Sequence, residues 1–193
     1  MMMTFSLPKT AEIDGKTHEI RYDFRVILEI IVMLNDPDLT DEDKAEGIIT
    51  MFYTDPEEIS DYKAAVDACF RFIDCNSDRP QKKQPRLTDW EQDFEYIIAP
   101  VNRVLGYESR AVDYDLETNT GGVHWWTFLG AYMEIGGDCL FSQIVSIRDK
   151  QARGKKLEKH EREWLRRNSD LVSIKKHYSA AENALIDAWT KGG

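Results

Sequence analysis

Apolar and polar positions first alternate, then change to a helical rhythm. AEIDGKTHEI sets Asp14-Gly15 between two short alternating stretches, the composition of a two-residue hairpin turn, because glycine accepts positive φ readily. From Asp23 to Leu34 the spacing becomes helical, and it stops before Asn35-Asp36-Pro37-Asp38, where proline opposes continuation. Thr40 reads as an N-cap followed by acids at 41 to 43, with Ala45, Ile48, Ile49 and Phe52 as the buried stripe. Asp55-Pro56 opens the next element, whose stripe is Val66, Cys69, Phe70 and Ile73.

CNSDRPQKKQPRL is polar, basic and broken by Pro80 and Pro85, so it reads as a long loop. Thr88 and Glu91 then have capping-box spacing ahead of Trp90, Phe94, Ile97 and Ile98, and Pro100 is expected to bend or end that helix. Residues 111 to 122 form a polar connection into VHWWTFLGAYMEIGG. There Trp125, Leu129, Tyr132 and Met133 share a face that Trp126, Phe128 and Ile135 widen, which predicts a deeply packed helix ending at Gly136-Gly137. Asp138 caps the next helix, with Leu140, Phe141, Ile144, Val145 and Ile147 apolar. The basic turn ARGKK leads to a narrow stripe of Leu157, Trp164 and Leu165, and a last helix opens at Ser179-Glu182 with Leu185 and Trp189 as its buried pair.

These periods predict a mainly α protein, a compact multi-helix domain with a short N-terminal β-hairpin. Residues 1–22 form the hairpin arm and residues 23–193 the helical domain, with an internal polar loop at about 76–87. The expected core is Trp90, Phe94, Trp125, Trp126, Leu129, Met133, Ile144 and Trp164.

Charge adds what periodicity cannot. The 193 residues carry a net −10, which weighs against nucleic-acid binding. Residues 36–62 hold ten acids against one lysine, whereas residues 148–176 hold eleven basic side chains against five acids. Such asymmetry favours contact between unlike surfaces, within one chain or between copies. Arg148, Lys150, Arg153, Lys155, Lys156, Arg162, Arg166 and Arg167 are therefore the expected protein-interaction surface. The longest nearly apolar run, Val26–Leu34, is too short to cross a bilayer, so no membrane contact is expected. MMMTFSLPKT lacks the arrangement of a signal peptide, which implies a cytosolic product, and the three cysteines suit reduced thiols.

No catalytic constellation emerges. His124 would need a partner such as Asp113, Asp115 or Glu117, and a packed, hydrogen-bonded histidine is the simpler reading. Cys69, Cys75, Cys139 and His124 lack chelating spacing, and NDPDLTDEDKAEG lacks both the glycine and the final glutamate of a calcium loop. GKK at 154–156 is no phosphate loop, and Asp89/Asp93 read as a solvated helix start rather than a carboxylate dyad. The expectation is a protein without catalytic residues, metal or cofactor.

DFRVILEI, TDWEQDFEYI, HWWTFLGAYMEIG and FSQIVSIRDKQARGKKLEKHEREWLRRN resemble the phage Gp15 (gene-product-fifteen) family over roughly residues 7 to 175. The resemblance implies a tail-assembly chaperone of long-tailed, non-contractile phages. Its implied partners are the tape-measure protein and the tail-tube protein, and its implied place is the cytoplasm of the bacterial host rather than the mature virion. Self-association is an added expectation from the charge split. A structural tail component of the virion, or a small enzyme with a site around His124, would be the competing roles.

Overall fold

The computed structural model describes residues 6–77 and 84–183. The chain is mainly helical with a short N-terminal antiparallel hairpin, and it divides into two compact units. One comprises Met1–Ser77, Val112–Thr127 and Lys176–Gly193; the other comprises Asp78–Ala111 and Phe128–Lys175. Among the described residues no helix is long and apolar enough to cross a membrane.

In the first unit, β1 (Thr10–Ile13) pairs with β2 (Lys16–Glu19), Ile13 opposite Lys16. Asp14 and Gly15 have φ of 49° and 76°, the doubly left-handed geometry that a two-residue turn needs to match strand twist. Ile13, His18 and Ile20 are buried. The chain after β2 is tied down: Arg21 N donates to Phe52 O at 2.7 Å and Thr54 N to Glu19 O at 3.2 Å.

Asp23 caps α1 (Phe24–Leu34), and Thr40 with Asp43 forms a full capping box on α2 (Asp41–Phe52). Pro56 opens only a short 3-10 turn; α3 (Tyr62–Ile73) starts later, capped by Asp61. On α3 the interior takes Ala65, Ala68, Cys69 and Phe72, whereas Phe70 is exposed. Two-residue strands β3 (Tyr114–Asp115) and β4 (Thr120–Gly121) make a second small hairpin inside the predicted polar connection. It carries no apolar alternation, so periodicity could not announce it.

The second unit opens with α4 (Trp90–Leu105), capped by Asp89 rather than Thr88. Pro100 lies buried inside this helix and does not end it, and Gly106 closes it at φ 79°. Helix α5 (Trp125–Met133) ends three residues before Gly136. Helix α6 (Leu140–Ala152) is capped by Cys139 rather than Asp138, its sulfur accepting from Ser142 N. Helices α7 (Lys159–Arg167) and α8 (Ser169–Val172) complete the unit. Ser179 and Glu182 exchange the predicted capping bonds in the first unit's C-terminal segment; Leu185, Trp189 and residues 78–83 of the loop at 76–87 lie outside the described residues.

Candidate functional site

The VHWW stretch resolves into joinery. Residues 22–24 and 123–125 lie side by side, Phe24 N donating to Val123 O at 3.0 Å and Trp125 N to Tyr22 O at 2.8 Å. This delivers both indoles to the end of α3. Trp125 Nε1 donates to Ile73 O at 2.9 Å and Trp126 Nε1 to Phe72 O at 2.8 Å. Those carbonyls belong to the last turn, which has no i+4 donor within the helix, and Phe72 O also accepts from Cys75 N at 3.0 Å. Adjacent tryptophans thus cap one helix while their rings fill space beside it, a use of the indole's polar edge and apolar body together.

His124 is buried in the same assembly. Its Nε2 meets Pro8 O at 2.8 Å, and its Nδ1 accepts from Trp126 N at 3.0 Å. A carbonyl only accepts and a backbone N–H only donates, so the ring is the neutral Nε2–H tautomer with both nitrogens engaged. It stacks on Tyr22 at 5.4 Å and 15°. Burial lowers its pKa from 6.5, and the Lys9 charge lowers it further against the opposing pull of Pro8 O. The carboxylate of Asp115 instead accepts from Glu117 N and Thr118 N within its own turn.

Asp23 holds this junction. Wholly buried, its carboxylate accepts from Arg25 N and Nε, at 3.0 and 2.7 Å, and from Val123 N at 2.7 Å. Arg25 Nη2 also reaches Val112 O at 3.0 Å. One aspartate therefore caps α1, fixes an arginine and receives the segment at Val123, 100 residues away.

Arg148 departs from its predicted surface role. It is 5% exposed, and its guanidinium grips Asp93 through two bonds, Nη1–Oδ2 at 2.6 Å and Nη2–Oδ1 at 3.0 Å. Its remaining donors go to Leu87 O, Leu171 O and Val172 O, so α6 is tied to α4 and to α8. A signal existed: Arg148 follows Phe141 by seven positions and Ile144 by four, and Asp93 precedes Ile97 by four, so both charges sit on apolar stripes. Asp89 and Asp93 are both buried, so they are not the solvated helix start expected: Asp89 N–H donates to Asp93 Oδ2 at 2.9 Å, and the Asp89 carboxylate caps the helix at Gln92 N and pairs with Arg86.

The other basic positions divide into paired and open groups. Lys150 is half-buried against Glu161, and exposed Arg153 pairs with Asp149. Lys155, Lys156, Arg162, Arg166 and Arg167 are exposed, and none forms an ion pair with another described residue. Arg162 is held by Leu157 O at 2.6 Å. Of the expected core, Trp125 and Ile144 are buried, while Trp90, Phe94, Trp126, Leu129 and Trp164 are half-buried.

Met133 is 70% exposed, which corrects its core assignment. The buried arc of α5 is centred between Trp125, Phe128, Ala131 and Tyr132, and at about 100° per residue Met133 falls roughly 120° from that centre. Among the described residues no group of three or more His, Cys, Asp or Glu could hold a metal ion. Burial pushes the Cys69 thiol up to about 12 and, with help from Asp74, that of Cys75 to about 11.

A mainly helical protein with a hairpin at its start, a tryptophan-sealed helix end and a one-sided cationic face is the class that these elements define. Residues 3–174 match the family described as bacteriophage Gp15 protein, and the chain belongs to that family. Membership suggests an accessory role in tail morphogenesis. No curated protein and no solved structure matches the chain.

Proposed function

We propose that this chain is a non-enzymatic tail-assembly chaperone that holds the phage tape-measure protein while the tail is built, works in the host cytoplasm, and leaves before the virion is complete. The observation that carries this reading is family membership over residues 3–174. The surface chemistry is compatible with it. Half-buried Trp164 and Leu165 on α7, with half-buried Leu157 just before it, lie beside exposed Arg162, Arg166 and Arg167, an amphipathic arrangement suited to a helical client. Exposed rim charges mainly speed encounter, so each copy holds weakly and release is easy, while many copies on one long client supply retention.

Co-expression of the full chain with the tape-measure protein of the same phage tests this directly. The client should become soluble and co-purify, and mass spectrometry of purified virions should find the tape-measure protein without this chain. Persistence of the chain in virions at structural stoichiometry would make it a tail component instead. A client equally insoluble with and without it would end the chaperone reading.

A further inference from the structure

Among the described residues, most charges of the two charge-rich regions form no ion pair. On α2, Asp41, Glu42, Asp43 and Glu46 are exposed in the first two turns, ahead of buried Ile48, Ile49 and Phe52, and Asp38, Glu57, Glu58 and Asp61 nearby in sequence are exposed as well. None of the ten acids in 36–62 forms an ion pair with another described residue. In the second unit Lys155, Lys156, Lys159, Arg162, Arg166 and Arg167 are exposed and likewise without such a pair, with exposed Glu158 and Glu163 among them. Lys159, Arg162 and Arg166 fall three and four positions apart, which puts them along one side of α7.

We propose that the cationic side of α7 docks a second copy of this chain through the acidic N-terminal turns of that copy's α2. Charge decides which faces meet. Setting α2 on α2 or α7 on α7 would bring like charges into contact, which repel, so only the unlike pairing is attractive. That pairing either closes as a twofold dimer, each copy giving its α2 to the other's α7, or runs head-to-tail with one acidic and one cationic face left free at the ends. This contact goes beyond client binding and does not depend on it. Because the charges are exposed, screening at a Debye length of about 8 Å at physiological salt keeps each step weak and strongly salt-dependent.

Sedimentation velocity on the purified full chain tests the contact. Species larger than the monomer should grow with concentration at about 20 mM salt and disappear at about 0.5 M. Lys159→Glu/Arg162→Glu/Arg166→Glu and Asp41→Lys/Glu42→Lys/Glu46→Lys should each remain monomeric alone, with association weakened at least about tenfold. Mixed together they should associate again, because the acidic α2 of one meets the cationic α7 region of the other. Unchanged helical circular dichroism and melting would show that the variants fold. Where a reversal unfolds, the corresponding Gln or Asn neutralisation should give the same loss. A wild-type chain monomeric at low salt, reversal variants that assemble like wild type, or a mixture that stays monomeric would each overturn the proposal.

Discussion

Arg148 and Asp93 meet in a two-bond ion pair 55 residues apart in sequence, the arginine side chain 4% exposed and the aspartate 0%. Every guanidinium N–H direction is used, two on the carboxylate and three on backbone carbonyls, so desolvation of both charges is offset by direct bonds.

Removing one partner leaves the other charge buried alone. Arg148→Met or Asp93→Leu should each cost about 3–5 kcal/mol in urea unfolding, and the double substitution should recover part of that loss. Arg148→Lys should behave nearly like Arg148→Met, since an ammonium cannot reproduce the fork. Equal loss in the double and the sum of the singles would show that the pair is not coupled.

The tryptophan caps predict an order of effects. Trp125→Ala should cost about 3–5 kcal/mol, because its 1%-exposed ring leaves a cavity. Trp126→Ala should cost about 2–3 kcal/mol, since its ring is only half-buried but its bond to Phe72 O is lost as well. Met133→Gln should change stability by no more than about 0.5 kcal/mol. Thermal melts of the three variants check the ranking.

The pH dependence has a definite sign. His124 is held neutral, with its native pKa below the 6.5 of an ordinary histidine, so as pH falls the unfolded chain takes up the proton first. The stability this contributes is complete above about 6.5 and is lost as pH drops through the lowered native value. The gap in urea midpoint between wild type and His124→Gln should therefore be widest near neutrality and narrow toward about pH 5. A gap independent of pH would mean that the ring is not being kept neutral.

Gly122 lies at φ 74°, and a Cβ there would run into the Asp23 carboxylate and the Tyr114 ring. Gly122→Ala should thus destabilise by about 2 kcal/mol through both strain and displacement of the cap on α1. Gly15→Ala, at φ 76° with open space around its Cβ, should cost about 1 kcal/mol, from the backbone alone. Chemical denaturation of the pair separates the two causes.

Much of the fold was legible because its signals are local. Asp14-Gly15, Thr40 with its acidic first turn, and Ser179 with Glu182 each state their geometry within four residues. Helical periods placed most elements, and the charge split located the open cations of α7. The small hairpin at β3 and β4 stayed hidden because its residues are polar on both faces, so that backbone pairing alone defines it.

The sequence by itself determined which segments coil into helices, where several of them start, and which stretches carry unlike charge, since each depends on neighbours within a turn or two of the chain. Only the tertiary structure decided that Arg148 is interior, that Met133 is outside, and that Trp125 and Trp126 seal α3. A charged side chain can be buried only if a partner arrives from elsewhere, as Asp93 does, and an indole can cap a helix only if another segment carries it there. Those meetings are set by how distant helices stack, which no local pattern encodes.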